Sequence, residues 1–469
     1  MDLDELKSTH EDYKRNQERW SLYKSAYEGT ASLVEDGYAL NKHERESEEN
    51  HTRRKKNAYG YNFTRRLATL INSLLSQKKP TNDYGQLDKN ELFKFFLSDC
   101  DYNGTELEKW LLDQQLSSLI TGHAGVLIDY RNFGDDSEQL QRSDLDNVKE
   151  KVYPYLSAFS ALNILDWEQE IINGVPTLTY IKVMDDCCKY RLWWRNAWEV
   201  WVIEEEEPKL ESQGVNQLGV VPFVWLLHGH TNNKYIGDSA VKEIVRIDRS
   251  IIENLSHGED VIEYSAFPMM RKPALSPGEQ GNDIVGTSGV LEFDPMHPES
   301  KPDWLASETR EPITAILEWI DSKIVEMARM FYASAFFSQS KAAISGESRK
   351  REFQLMNSVL AAESNTLEVF QRNIIYIWLL WIGKPELMED VTIVRPMDFD
   401  ISDKADELDA LVISKTSVNS LTFSQEVDKK ISRLIMPDMQ VTVAAEVDKE
   451  IEETRELPEV EADQETENV

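Results

Sequence analysis

The stretch GDSAVKEIVRIDRSIIENLSHGEDVIEYSAF (237–267) decides the fold. Val241, Ile244, Ile251, Leu255 and Ile262 recur along it at helical spacing, and Asp238 stands where a helix N-cap belongs, so one long amphipathic helix is predicted. A second segment opens at Glu311-Pro312, with proline suited to the first helical turn. It repeats the pattern through Ile313, Ile316, Leu317, Ile320, Ile324, Met327 and Phe331. A solitary helical hairpin cannot bury two full stripes, so Ile316 and Ile320 are expected to seal one copy of the chain against another. Between the two helices, residues 268–310 hold six prolines and four glycines, together with GVLEFD (289–294), a predicted strand, and Trp304. That is a small module with something to bury, not a linker.

Downstream, YASAFFSQSKAAISGESRKREFQ (332–354) interrupts the helical pattern with small, polar and glycine-bearing residues. A third helix is predicted from about Ser348 to Ile382, ended by Gly383 and Pro385. VTIVRP (391–396) reads as a strand, and amphipathic helices follow. Residues 401–469 carry 18 acidic and 7 basic residues, and their last stretch, LPEVEADQETENV, has the composition of a disordered tail.

Upstream, residues 4–30 set Leu6, Tyr13, Trp20, Tyr23 and Tyr27 among charges, the mark of a solvated helix pinned by a thin aromatic stripe. Leu67, Leu70, Ile71, Leu74 and Leu75 predict another helix before Pro80. A further helix covers 105–122, and GHAGVLIDYR (122–131) reads as a buried strand. From 152 to 226 the pattern turns to strands, with a turn at Asn173-Gly174; Trp193, Trp194, Trp198 and Trp201 there read as sheet packing. The expected class is α+β, mainly helical.

The chain has 469 residues and a formal charge of −33, which argues against a protein that grips nucleic acid through a basic surface. Its three cysteines, Cys100, Cys187 and Cys188, exclude a disulfide framework and suit a reducing compartment. No secretory leader is expected, and the longest apolar run, IIYIWLLWI (374–382), falls far short of the roughly 20 residues that span a bilayer. No phosphate-binding glycine loop with its lysine and no GxSxG elbow occurs. HGH (228–230) supplies half of a metal site without evident further ligands, and DDCCK (185–189) reads as a turn with two packed thiols. No catalytic residue, metal or cofactor is expected.

The order of these parts resembles the portal protein of tailed bacteriophages. So does an ordered series of local sequences: YALNKHERESEENHTRRKKNAYGYNFTRRLATLINSLL (38–75), GHAGVLIDYR, VYPYLSAFSALNILDWE (152–168) and GVVPFVWLLHGHTNNKYIGDSAVKEI (219–244). The resemblance implies a wing over 1–237 and 348–400, stem helices at 238–267 and 311–333, a clip at 268–310, a tunnel loop at 334–347, and a crown with an acidic tail at 401–469. It implies a ring at one capsid vertex, twelve copies in the virion, assembled in the host cytoplasm. Double-stranded DNA would pass without sequence recognition. The large terminase, a head-completion or adaptor protein, and the major capsid and scaffolding proteins would be partners, with no membrane involved.

On that resemblance the tunnel loop presents Phe337, Ser338, Gln339, Ser340, Lys341, Ser345 and Gly346 to DNA, small and polar residues suited to weak phosphate contacts and a bend. Arg349, Lys350 and Arg351 form the nearby basic cluster. Glu243, Glu253, Glu318, Asp321 and Glu326 lie on the polar sides of the stem and would line an acidic bore that repels DNA at short range. The alternatives are an acidic helical scaffold or another virion protein without a channel, and a hydrolase built on HGH.

Overall fold

The computed structural model describes residues 1–44, 46–130, 152–186, 188–229, 231, 233–266, 269–271, 303–305, 310–331, 346–399, 404–436 and 441–453. Helix and sheet are mixed, as the patterning predicts. The helices are α1 (Leu3–Lys7), α2 (Glu11–Glu28), α3 (Thr30–Glu35), α4 (Glu48–Asn57), α5 (Phe63–Leu75), α6 (Glu91–Ser98) and α7 (Leu107–Thr121). After the sheets come α8 (Lys242–Ala266), α9 (Arg310–Met330), α10 (Gly346–Trp381), α11 (Lys404–Ser417), α12 (Leu421–Ile435) and α13 (Val441–Glu453). The strands are β1 (Thr81–Asp83), β2 (His123–Asp129), β3 (Tyr155–Ser160), β4 (Ile164–Ile172), β5 (Val175–Asp186) and β6 (Lys189–Trp194). They continue as β7 (Ala197–Glu204), β8 (Glu207–Val215), β9 (Phe223–Leu227), β10 (Met269–Arg271), β11 (Asp303–Leu305) and β12 (Thr392–Val394).

The chain divides after Phe399 into two units. In the first, β2 is the centre of a three-stranded antiparallel sheet, flanked by β3 and β9. β4 to β8 form an antiparallel meander in sequence order. Its first hairpin turns at Asn173-Gly174, both at positive φ (52° and 82°), the geometry expected of that pair. The helix expected over 4–30 is broken before α2, where the His10 ring nitrogen accepts the Asp12 N–H at 3.1 Å and caps the new helix. Leu6, Tyr13, Trp20 and Tyr23 are nonetheless buried, as their stripe predicts. Trp193 is buried too, stacked on Trp198 with ring centroids 5.9 Å apart. Cys188 is exposed, which corrects the reading of two packed thiols; Cys187 lies outside the described residues.

α10 supplies the centre of one core, where Leu367, Phe370, Ile374, Ile375, Trp378 and Leu379 pack with Phe93 and Phe96 of α6 and Trp110 and Leu111 of α7. Phe93 meets Trp378 edge-on at 5.1 Å. A second core gathers α5, α8, α9 and α10 through Leu67, Ile71, Ile251, Leu255, Ile320, Met327, Met356 and Leu360. Ile320 is therefore spent inside its own chain, with Ile316 partly buried beside it, which corrects the expectation that these two seal copies together. α8 begins after Asp238, and Ser239 does the capping, its hydroxyl accepting the Val241 N–H at 3.2 Å while donating to Ile120 O at 2.6 Å. α10 begins at Gly346, so this glycine starts a helix instead of ending a loop.

The sheet and α8 meet at a joint made of bare backbone. A Cβ at Gly237 would lie 1.9 Å from Gly122 O and 2.4 Å from His228 O. His228 N donates to Gly122 O at 2.8 Å, and Asp238 N to His228 O at 2.9 Å. Gly122, which ends α7, sits at φ +95°, a value that side chains rarely tolerate. β10 and β11 pair antiparallel near the two ends of the predicted module, Met270 opposite Trp304; GVLEFD lies outside the described residues. In the second unit, α11 packs on α12 and α12 on α13. Lys415 bonds Asp428, and Arg433 lies 2.8 Å from Asp448.

Candidate functional site

α8 and α9 form an antiparallel pair. Lys323 donates to the Ser250 hydroxyl at 2.7 Å, and Ile316 lies against Gly258, so residue numbers fall on one helix as they rise on the other. Burial of the Lys323 ammonium pushes its pKa down. The acidic side chains predicted for a bore divide into two groups. Glu318 and Asp321 are exposed on α9; Glu243 and Glu326 are exposed too, each beside an arginine one turn on, Arg246 at 3.8 Å and Arg329. Glu253 departs from that expectation. It is partly buried and accepts the Leu40 N–H at 2.7 Å, because the chain before α4 crosses α8 there.

α8 is gripped from its other flank by charge. Arg54, inside α4, binds Glu46 with two nitrogens at 2.6 and 2.9 Å and reaches Ser256 of α8 at 3.4 Å. The Arg54 hydrogen bonds hold the Glu46 carboxyl well below the ordinary range, at about 2. Arg53 adds Asp260 at 3.6 Å and Glu263. Burial raises the Asp260 pKa, and Arg54 and Arg53 oppose that shift. Tyr59 donates to Glu259 at 3.0 Å; burial and that bond push the phenol to about 12. Nearer the sheet, buried Asp248 accepts the Thr64 N–H at 3.1 Å and its hydroxyl at 2.9 Å, capping the start of α5.

Phe337, Ser338, Gln339, Ser340, Lys341 and Ser345 lie outside the described residues. Arg349, Lys350 and Arg351 lie in the first turns of α10, where Arg351 is exposed. His228 of HGH is turned inward. Its Nδ1 stands 2.9 Å from Glu363 Oε1 without hydrogen-bond alignment, while Gln115 donates to the other Glu363 oxygen. His230 lies outside the described residues, and among the described residues no three His, Cys, Asp or Glu side chains are placed to hold a metal ion.

Pattern reading missed the buried polar networks. Arg395 holds Glu108 with two nitrogens at 3.0 and 2.7 Å and Gln371 at 3.2 and 2.8 Å, and Gln371 in turn reaches the Tyr84 hydroxyl at 3.1 Å. Glu108 and Arg395 are 287 positions apart in sequence, so no local signal joins them. His123 is buried between Trp20 and Trp225, and that burial lowers its pKa to about 3, keeping the imidazole neutral.

No protein-family model matches the chain, and no curated protein matches it. The solved structures similar in chain course include three from gene transfer agent particles. The first, from the virion of a native gene transfer agent particle, has 10% identity and a TM-score of 0.45 and covers 85% of this chain and 98% of that one. The neck of the empty particle computed with C6 symmetry has 11% identity and a TM-score of 0.40, covering 82% and 94%. The neck of the native particle computed with C12 symmetry has 10% identity and a TM-score of 0.38, covering 76% and 86%. Likeness at this level carries no functional argument. Among the described residues no helix is long and apolar enough to cross a membrane.

Proposed function

We propose that this chain is the portal subunit of a tailed-phage-like particle, a non-enzymatic ring at one capsid vertex through which double-stranded DNA is packaged and released. The observation that supports it most is the order of parts: an α+β body, the antiparallel pair α8 and α9 enclosing a proline-rich module, a break, and the long α10 returning to the core of the body. A chain built so can stand its helix pair side by side with copies of itself while its body forms a wide collar. The formal charge of −33 suits a wall that conducts DNA without gripping it. The module between the helices would receive the large terminase and later a head-completion or adaptor protein, and capsid and scaffolding proteins would surround the body. The terminase would supply the ATP hydrolysis.

Gel filtration of the purified chain with negative-stain imaging tests this. Rings with an axial hole are expected. A compact monomer at every concentration and salt tried would overturn the reading and favour an acidic helical scaffold.

A further inference from the structure

The α4 stretch RRKK (53–56) is divided in its use. Arg53 and Arg54 are consumed by Glu46, Asp260 and Glu263 within the chain, whereas Lys55 and Lys56 are exposed on the side away from α8. α9 shows the opposite character on its outer face. Ile316 and Lys323 mark the side of α9 that faces α8. At about 100° per residue, Leu317, Asp321 and Val325 fall on one line along a different side, bordered by Glu311 and Glu318. Leu317 is 53% exposed and Val325 41%. Two apolar side chains among three acidic ones are thus exposed on that side.

These faces lie on opposite flanks of α8. Ser250 and Gly258 meet α9, whereas Ser256, Asp260 and Glu263 meet α4, well over a quarter-turn round the helix axis. They also lie at one height. Gly258 is level with Ile316, and Asp260 and Glu263 are level with Arg53, which sets the lysines beside the 311–318 part of α9. A basic face and an acidic, partly apolar face at equal height on opposite flanks are what a head-to-tail contact between identical copies requires, and such contacts form a ring where the rotation between copies closes.

We propose that α4 of one copy docks on the outer face of α9 of the next, setting Lys55 and Lys56 against Glu311, Glu318 and Asp321 and covering Leu317 and Val325. The proposal rests on the ring reading above and assigns the seal to a basic helix on the body meeting a stem helix, not to contacts between stem helices alone.

Charge reversal tests it in the full-length chain. Lys55→Glu with Lys56→Glu should raise the concentration needed for ring assembly by about tenfold or more, and adding Glu318→Lys with Asp321→Lys should bring assembly back. Circular dichroism that matches the unaltered chain establishes that the variants fold. Should α4 not tolerate the reversal, Glu318→Lys with Asp321→Lys alone, on the exposed face of α9, should cause the same loss. Unaltered rings in a folded reversal variant would overturn the docking mode and leave the ring standing. Loss without recovery in the combined variant would also overturn it. Failure of the natural sequence to form rings under any condition would remove both proposals together.

Discussion

α10 and α9 are both long and both amphipathic, and they differ in how much of their apolar surface the chain covers. Over its C-terminal half α10 buries Leu367, Phe370, Ile374, Ile375, Trp378 and Leu379, leaving Val369 and Tyr376 as separate exposed side chains. α9 fully buries Ile320 and Met327, while Leu317, Trp319, Val325 and Met330 remain exposed. Isolated exposed apolar residues are ordinary, but α9 carries two exposed pairs, Leu317 with Val325 on one side and Trp319 with Met330 on another. The contrast separates two uses of a hydrophobic stripe: α10 holds the body together, and α9 is only half consumed by folding.

The comparison can be broken at its strong end first. Trp378→Ala removes the largest fully buried side chain from between Phe93 and Phe96, and chemical unfolding should show a loss of about 3–5 kcal/mol. A loss near zero would mean that α10 is not the keystone described. Acid separates charge-held from apolar-seated parts. Because Glu46 titrates below its ordinary value in the folded chain, its contribution is complete above about pH 4.5 and is lost as pH falls toward about 2. Hydrogen exchange should therefore show α4 loosening in that window before the α10 core. At neutral pH, Glu46→Gln should reproduce the loosening at a cost of about 1.5–3 kcal/mol. The smallest effect is expected for Leu317→Ser with Val325→Ser, about 0.5 kcal/mol or less in stability. A cost comparable to that of Trp378→Ala would show those side chains to be core after all.

Much of the fold was legible because periodicity and turn chemistry are local. The stripes of α5, α8, α9 and α10, the buried run of β2, and the Asn173-Gly174 turn need only neighbouring residues to be read. Where the reading failed, the deciding contact was distant or the local signal was double. Ile320 belongs to an apolar stripe, but no periodicity says whether α8 or another copy covers it. Asp238 and Ser239 are both capping residues, and only the structure shows that the Ser239 hydroxyl takes the Val241 N–H. Gly346 reads as a bend, yet a helix starts there, an end position where glycine is tolerated. Glu253 faces the polar side of α8 by spacing alone, and only the passage of Leu40 across that side shows that it is occupied. Of the tunnel loop read from the sequence, Gly346 and Glu347 fall among the described residues, as the first two of α10.

The crossing of Gly122 and Gly237 has a mechanical consequence. With no side chain between the two backbones, the angle at which α8 leaves the sheet is set by peptide groups in direct contact, and no rotamer change can relax it. A push delivered along that rod would travel into β2 and β9 as through a welded bracket. The body and its shaft should therefore tilt together, and compliance would have to be sought farther along the shaft.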